Sequence, residues 1–241
     1  NDLVIDVGSN DATFLKAFRV KNINRVGIDP SGDKFRKYYP NEIDLINEFF
    51  PSSTFKKKYK NKKAKLITSI SMFYDLEDPL DFVENISEIL DVNGIWHFEQ
   101  SYMPAMLRTG SYDTICHEHL EYYSLDSIKY IFDKVGFKII DLEFNDINGG
   151  SFSLTLAKKK SKYKEASKII NWLLYKEQLY KYNNLNTFKN FFENITKHRK
   201  VFRTLMQNLK DMKKKVIGYG ASTKGNVILQ FCNINSRLLP Y

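Results

Sequence analysis

The sequence predicts an α/β fold, with an open and mostly parallel sheet that ends in an antiparallel pair of strands. Short apolar runs alternate with segments of helical spacing up to about residue 135. Two further apolar runs, at 137–144 and 151–157, flank Asn148-Gly149-Gly150 and are typical of paired strands. Beyond them come long helical stretches almost free of Gly and Pro. We therefore expect three parts, which are a sheet domain at 1–158, a helical connector at 159–212 and the start of a second α/β domain at 213–241.

The first elements form a strand, a tight turn, a helix and a second strand. Residues 3–7 are apolar and end in Gly8-Ser9-Asn10-Asp11, and helical spacing follows over 12–20. A second short strand begins at Arg25 and closes on Asp29-Pro30. This order predicts the start of a parallel sheet.

The later elements follow the same alternation. The remaining predicted elements are strands at 65–69 and 94–99, a helix at about 80–90 between them, a helix at 124–135 and helices at 163–179 and 187–212. From Lys215 the sequence predicts another strand, glycine turn and helix.

Composition indicates a globular protein and limits the classes of partner. Hydrophobic residues make up 43% of the chain and aromatic residues 15%. The net charge is +9, from 37 Lys+Arg and 28 Asp+Glu, but the lysine runs are separated. We therefore expect a solvated basic face that attracts a phosphorylated small molecule, and no nucleic-acid partner.

The cysteine count and the apolar runs bear on the setting of the protein. Cys116 and Cys232 are far apart, which argues against a disulfide framework and a Cys-rich zinc site, and favours a cytoplasmic setting. No apolar run approaches the roughly 18 residues of a membrane span, and the amino end lacks a signal-peptide pattern. We expect no membrane association. Both ends of the chain are interpreted as boundaries of a piece cut from a longer protein.

The first glycine turn predicts a nucleoside site. Gly8 lets backbone approach a ligand, and Asp29, which closes the second strand, is placed to bind two ribose hydroxyls. The dinucleotide fingerprint G-x-G-x-x-G is absent, so a nucleoside without a phosphate fits better. S-adenosylmethionine is such a ligand, and Asp6 is placed to meet its cationic amino acid part. Asn10 and Ser69 complete the predicted cofactor site.

Residues 112–124 contain an unusual density of proton-transfer groups. Two of the four histidines lie here with Glu118 between them, and Tyr122 and Tyr123 follow. An imidazole that titrates near neutrality, a carboxylate that orients it and phenols that donate to an oxyanion are what carbanion chemistry needs. A solvated polar loop is the alternative interpretation.

The succession of 69–76 and 91–99 resembles the class I methyltransferases, whose sheet is Rossmann-like. Residues 111–124, 148–151 and 218–226 resemble the sugar C-methyltransferases of deoxysugar and surface-polysaccharide pathways, and the resemblance runs from Leu3 to Tyr241. That family has an amino-terminal zinc-binding domain, a central S-adenosylmethionine domain and a carboxy-terminal α/β domain. The resemblance implies that this chain lacks the first and most of the third, so zinc belongs to an absent domain and no metal is expected here.

The resemblance also implies a reaction and a set of site residues. It implies a methyl group added to carbon 3 of a nucleotide-linked 4-keto-6-deoxy sugar through an enolate. His119 is the candidate base and Glu118 its orienting or substrate-binding neighbour. Cys116 stands where relatives often have tyrosine, so the donor to the enolate is expected from Tyr74, Tyr122 or Tyr123. The candidate substrate-binding residues are Tyr122, Gly149, Gly150, Ser151 and Lys224.

Three other functions stay open at this stage. One is O-methylation of a sugar or small molecule, in which His119 would deprotonate a hydroxyl. Another is a catalytically silent nucleotide-sugar binding module. A nucleotide-dependent sugar oxidoreductase is disfavoured because the glycine fingerprint is absent.

Overall fold

The computed structural model describes residues 2–60, 62–220 and 222–240. Ala221, which belongs to the predicted late glycine turn, and Tyr241, the last residue of the resemblance, lie outside the described residues. The strands are β1 (Asp2–Val7), β2 (Ile23–Ile28), β3 (Ile43–Ile46), β4 (Ala64–Ile70), β5 (Leu90–Ser101), β6 (Phe137–Asn145) and β7 (Ser151–Lys158).

Helices cover the sheet and continue beyond it. They are α1 (Thr13–Ala17), α2 (Gly32–Phe35), α3 (Ser53–Lys58), α4 (Pro79–Ile89), α5 (Met103–Thr109), α6 (Leu125–Val135), α7 (Ser167–Leu179), α8 (Leu185–Asp211) and α9 (Thr223–Phe231). Local sequence explains their ends. Ser124 accepts a hydrogen bond from the backbone N–H of Ser127 at the start of α6, and Gly136 ends that helix at φ +90°. None of the helices in the described ranges combines the length and the apolar character needed to cross a membrane.

The sheet has the strand order β3-β2-β1-β4-β5-β7-β6. The first five strands are parallel, and β7 is antiparallel to both β5 and β6. This confirms the predicted mostly parallel α/β sheet with an antiparallel finish. After β1 the chain builds β2 and β3 on one side and returns to place β4 on the other. The carboxyl ends of β1 and β4 therefore border the crevice where such sheets bind ligands.

The core lies on both faces of the sheet and is rich in aromatic rings. Trp96 of β5 is fully buried and contacts Phe98, Phe132 and Phe137 at ring-centroid distances of 5.3–5.7 Å. The indole N–H of Trp96 donates to the hydroxyl of Ser69, 2.8 Å away. This packing fixes β4 and β5 against α6 and β6.

Several elements differ from those that the sequence predicts. The strand β3 and the short helices α3 and α5 were not predicted, because runs of four to seven residues carry too little periodicity to be recognised. The strand β5 begins at Leu90 instead of residue 94. The strand predicted from Lys215 does not form in the described residues 213–220, where no neighbouring strand offers hydrogen bonds to a ladder.

A second apolar cluster joins the helices after the sheet to the segment that precedes α6. Its buried members are Tyr112, Ile195, Met206, Cys232 and Ile234. The long helices α7 and α8 agree with the predicted helical stretches. The predicted division into three parts at 158 and 212 stays a prediction, although this cluster packs the last part of the chain against the segment around Tyr112.

Candidate active site

The turn after β1 brings the backbone close to neighbouring side chains. Gly8 has φ +78°, and a Cβ at this position would lie 3.3 Å from Cγ of Met72. Its N–H donates to the carbonyl oxygen of Ile28, 2.9 Å away, which ties the turn to the end of β2. A side chain at Gly8 would be strained and crowded, so glycine keeps this edge open for a ligand.

Asp6 is a buried carboxylate at the end of β1. It is 5% exposed, and the Thr68 hydroxyl donates to it at 2.6 Å. Burial raises its pKa to about 6; the Thr68 hydrogen bond opposes this rise, and the negative charge of Asp29 adds to it. Two acids at one edge of the sheet favour a cationic ligand there, because a positive charge would stabilise the ionised carboxylates.

Asp29 follows β2 and organises the facing turn. Its carboxylate accepts from the backbone N–H of Asn10 at 2.8 Å, and from the N–H and hydroxyl of Ser31 at 2.7 Å and 2.6 Å. These bonds use three of about four acceptor positions of a carboxylate. One position is left for a ligand hydroxyl, and a second would open only if the Ser31 hydroxyl turned away.

Ser69 and Asn10, the other predicted cofactor residues, have different surroundings. Ser69 is fully buried, and its hydroxyl accepts from Trp96, so it supports the strand rather than facing an open space. Asn10 lies in the turn with φ +48°, and its backbone N–H, not its side chain, makes the contact to Asp29. The structure thus places Asp6, Gly8, Asn10 and Asp29 at one edge of the sheet.

A second group of predicted residues surrounds one cavity beside this edge. Five predicted residues line it, together with seven that the sequence did not single out. The predicted ones are Tyr74, His119, Tyr122, Gly149 and Gly150; the others are Ser101, Tyr102, Met103, Met106, Thr114, Glu121 and Asn148. The candidate base, the candidate sugar-binding turn and two of the three candidate phenols, Tyr74 and Tyr122, therefore share one cavity, whereas Tyr123 is buried and does not line it.

His119 is held by the backbone of its own segment. Its Nδ1 lies 2.8 Å from the carbonyl oxygen of Thr114. A carbonyl oxygen only accepts, so the neutral imidazole carries its hydrogen on Nδ1 and a lone pair on Nε2. The segment is held further by the backbone N–H groups of Leu120 and Glu121, which both donate to the carbonyl oxygen of Tyr74.

Tyr74 packs against the candidate base. The centroids of its ring and the His119 ring are 4.3 Å apart, with the planes inclined at 54°. Burial raises the pKa of the Tyr74 phenol, and the negative charge of Asp75 raises it further. A phenol with a raised pKa keeps its proton at neutral pH and can donate to a developing oxyanion.

Glu118 does not reach the cavity. Its side chain is exposed and makes no hydrogen bond or ion pair within the described part of the chain. Asp75 is a carboxylate close enough to interact electrostatically with His119: burial raises the pKa of Asp75, a positive charge on a protonated His119 ring lowers it and the Glu118 charge raises it. The orienting role predicted for Glu118 stays a prediction, and the contact that orients the ring in this structure comes from Thr114.

The glycine turn before β7 is shaped by close contacts. Asn148, Gly149 and Gly150 all have positive φ, at +58°, +84° and +125°. A Cβ on Gly150 would lie 2.6 Å from the Cβ of Ala105. Lys224, at the start of α9, donates to the side-chain oxygen of Asn148 at 3.1 Å, which brings a cation to this rim of the cavity.

Tyr122 lines the cavity, whereas Ser151 is buried directly after the turn that precedes β7. Ser151 is fully buried, and its hydroxyl donates to the carbonyl oxygen of Ile147, so its side chain stabilises the turn. Tyr122 lines the cavity, and its hydroxyl donates to the carbonyl oxygen of Thr114 at 3.4 Å. Burial raises the pKa of Tyr122.

Thr114, Glu121 and Asn148 are the polar residues that sequence reasoning missed most clearly. Asn148 directly precedes the predicted glycine pair, so its position in the sequence could have indicated that it belongs to the site. Thr114 acts through its backbone carbonyl, which side-chain patterns do not reveal. In the residues that the structure describes, no three His, Cys, Asp or Glu side chains are grouped so as to hold a metal ion.

Two family models match the chain over adjacent regions. The model described as a methyltransferase domain matches residues 2–142, and the model described as a C-methyltransferase C-terminal domain matches residues 146–241. The C-methyltransferase NovU of Streptomyces niveus is 26% identical over 241 residues, which is 100% of this chain and 57% of NovU. The chain thus spans little more than half the length of this curated relative.

Solved structures show the same fold at low identity. LepI in complex with SAM matches 66% of this chain and 43% of its own, with a TM-score of 0.53 and 14% identity. The plantazolicin methyltransferase BpumL, in complex with a monoazolic desmethylPZN analog and SAH, matches 65% of this chain and 76% of its own, with a TM-score of 0.51 and 11% identity. These similarities confirm the predicted Rossmann-like sheet.

Proposed function

The chain belongs to the methyltransferase domain family, and from this premise we propose that it is a C-methyltransferase that uses S-adenosylmethionine. We propose further that it methylates carbon 3 of a nucleotide-linked 4-keto-6-deoxy sugar. The observation that supports this most directly is that His119, Tyr74 and the glycine turn line one cavity, while the contact of Nδ1 with Thr114 leaves the lone pair of the His119 ring on Nε2.

The residues at the edge of the sheet fit the cofactor. The carboxylates of Asp6 and Asp29 suit a ligand that carries positive charge, and the left-handed glycine at position 8 leaves room for it. Asp29 keeps an acceptor position for a ribose hydroxyl. When bound, S-adenosylmethionine supplies an electrophilic methyl group.

The cavity residues fit deprotonation next to a ketone. Nε2 of His119 accepts the proton from carbon 3, and the electron pair of that C–H bond moves into the enolate, whose negative charge lies on the ketone oxygen. The phenol of Tyr74 or Tyr122 donates a hydrogen bond to that oxygen. The enolate carbon would then form the new bond to the methyl group as the bond from that methyl group to sulfur breaks, the bonding electrons would stay on sulfur in S-adenosylhomocysteine, and the ketone would be restored. The proton stays on His119 until it is released to water.

The rim of the cavity fits a nucleotide sugar. Gly149 and Gly150 leave no side chain between the backbone and a sugar ring, and Lys224 supplies a positive charge for a diphosphate. The predicted role of Ser151 would be carried by its backbone, since its hydroxyl is buried.

Hydrogen–deuterium exchange tests the reaction. The chain is incubated in deuterated water with a nucleotide-linked 4-keto-6-deoxy sugar and S-adenosylhomocysteine, which occupies the cofactor site but cannot donate a methyl group. We expect deuterium at carbon 3, detected by mass spectrometry and NMR, and no exchange with His119→Asn. No exchange at carbon 3, together with a methyl group on a hydroxyl oxygen when S-adenosylmethionine replaces S-adenosylhomocysteine, would replace the proposal with O-methylation.

Cofactor binding is tested independently of turnover. Titration calorimetry with S-adenosylhomocysteine should give micromolar binding, and NAD should not bind. Asp29→Asn should weaken binding at least tenfold, consistent with the loss of a hydrogen bond to a charged group. Asp33→Asn, an exposed acid on α2, is the matched control and should leave binding unchanged. A folded chain that binds no S-adenosylhomocysteine would contradict the proposal.

A further inference from the structure

A buried contact outside the cavity joins the C-terminal helices to the segment that carries His119. Tyr112 is 7% exposed. Its hydroxyl lies 3.1 Å from Nδ1 of His198 on α8 and 3.3 Å from Sγ of Cys232, just after α9. Its ring centroid is 4.9 Å from that of Phe231. Helix α8 and the end of α9 thus hold the side chain of Tyr112, which lies at the start of the segment that carries His119.

Tyr112 and Thr114 belong to the same single turn of 3₁₀ helix. The turn spans Tyr112–Thr114, and the N–H of Ile115 donates to the carbonyl oxygen of Tyr112 at 3.0 Å. Thr114 is 5% exposed, and its hydroxyl donates to the carbonyl oxygen of Ser111 at 3.2 Å. This backbone hydrogen bond closes a ring that contains both Tyr112 and Thr114, so the two residues are linked within one turn.

The carbonyl of Thr114 determines the tautomer of His119. It accepts from Nδ1 of the ring at 2.8 Å and also from the hydroxyl of Tyr122 at 3.4 Å. The tautomer of a histidine is set by the hydrogen bond that one ring nitrogen makes. If the carbonyl turned away, the hydrogen on Nδ1 would lose its acceptor and Nε2 would no longer be fixed as the basic nitrogen.

We propose that Tyr112 is a positioning residue through which α8 and α9 hold the Thr114 carbonyl, and thereby the tautomer and direction of His119. Its importance for catalysis rests on the proposed function, whereas its effect on the ring does not. The C-terminal helices then do more than connect domains, because they hold the base in its working orientation.

Tyr112→Phe tests this proposal, since it removes only the hydroxyl and keeps the ring packed against Phe231. Histidine ring nitrogens are labelled with ¹⁵N, and His119 is assigned by its loss in His119→Asn. The unaltered chain should show His119 protonated on Nδ1. In Tyr112→Phe the two nitrogen shifts should move towards each other as both tautomers populate. If methyl transfer is measured, kcat should fall about tenfold, as expected for a misplaced base, with KM for S-adenosylmethionine within twofold.

The matched control is Tyr163→Phe, which removes a tyrosine hydroxyl that donates to the carbonyl oxygen of Asn93 at 3.3 Å, away from the cavity. It should leave the His119 nitrogen shifts unchanged. Unchanged shifts in Tyr112→Phe, or equal changes in both variants, would overturn the proposal. A tautomer mixture in Tyr112→Phe together with a parent chain that binds no S-adenosylhomocysteine would support the positioning role and overturn the proposed function.

Discussion

Nδ1 of His119 lies 2.8 Å from the carbonyl oxygen of Thr114, five residues earlier in the chain. Since the carbonyl can only accept, this one contact places the ring hydrogen on Nδ1 and the basic lone pair on Nε2. The ring of Tyr74, 4.3 Å away, packs against the imidazole. In this structure the His119 ring is thus held by a backbone contact and by aromatic packing, and the exposed Glu118 side chain makes no hydrogen bond to it within the described residues.

His119→Asn should separate the orienting contact from the proton transfer. The asparagine amide can donate to Thr114 as Nδ1 does, but it cannot accept a proton as Nε2 does. We expect kcat to fall by roughly 10²- to 10⁴-fold, the usual size of a general-base contribution. Binding of S-adenosylhomocysteine by calorimetry should stay within twofold.

The neighbouring imidazole provides the control for this substitution. His117 is exposed and does not line the cavity. His117→Asn should keep kcat within about threefold of the parent chain. A His119→Asn variant that retained most of its activity would remove the proposed base, and equal losses in both variants would indicate that the segment as a whole had been disturbed.

Binding of S-adenosylmethionine should weaken in acid because of Asp6. Burial raises the pKa of this carboxyl to about 6, so it binds a proton as pH falls through 6 in the free protein. A cationic ligand favours the ionised carboxylate and lowers its pKa in the complex, so affinity is full above pH 6 and is lost below it. Calorimetry should give a Kd about tenfold higher at pH 5 than at pH 8.

Asp6→Asn should remove that pH dependence. The asparagine oxygen can still accept from the Thr68 hydroxyl, but it does not titrate. We expect weaker binding at pH 8 and a nearly constant Kd down to pH 5. Asp33→Asn, which changes an exposed acid, should keep the steep profile. An Asp6→Asn profile as steep as that of the parent chain would assign the titration to another group.

Gly150→Ala should destabilise the chain for two reasons, which are an unfavourable backbone conformation for a residue with a side chain and a close contact of the added Cβ with Ala105. Gly150 has φ +125°, and the added Cβ would lie 2.6 Å from that of Ala105. Gly110, at φ +72° in the left-handed helical region with nothing within 4 Å of an added Cβ, gives the cost of a left-handed backbone without a clash. We expect Gly110→Ala to lower the free energy of unfolding by about 1–2 kcal/mol, and Gly150→Ala to lower it by about 1–3 kcal/mol more because of overpacking and a backbone conformation outside the left-handed helical region. Urea unfolding measures both, and equal values would mean that Ala105 moves aside freely.

The sequence is most informative where periodicity is long or backbone demands are special. The alternation of strands and helices predicts the sheet, and Gly8, Asp29 and Gly149-Gly150 mark turns that the structure confirms. The strand β3 was missed because four residues with two buried side chains show little pattern. The strand predicted from Lys215 fails for a different reason, since a strand depends on a partner as much as on its own residues.

The candidate site was predictable in its side chains and not in its backbone. The cluster at 112–124 shows which groups can move protons, but the choice between Nδ1 and Nε2 depends on the Thr114 carbonyl. The burial of individual side chains could not be predicted from the sequence either. Ser69 and Ser151 look like polar ligands in the sequence, yet both hydroxyls are satisfied inside the protein.

Lys224→Met should weaken binding of the nucleotide sugar and leave binding of the cofactor unchanged. Lys224 is the cation that contacts Asn148 at the cavity rim, and methionine keeps much of its length without the charge. Losing one charge-assisted contact to a diphosphate should raise KM for the nucleotide sugar about tenfold, with KM for S-adenosylmethionine unchanged. Lys215→Met, an exposed lysine before α9, controls for net charge and should leave both constants unchanged. If the two variants raised KM for the sugar equally, the effect would come from general attraction to the basic face, and Lys224 would lose its assigned place next to the diphosphate.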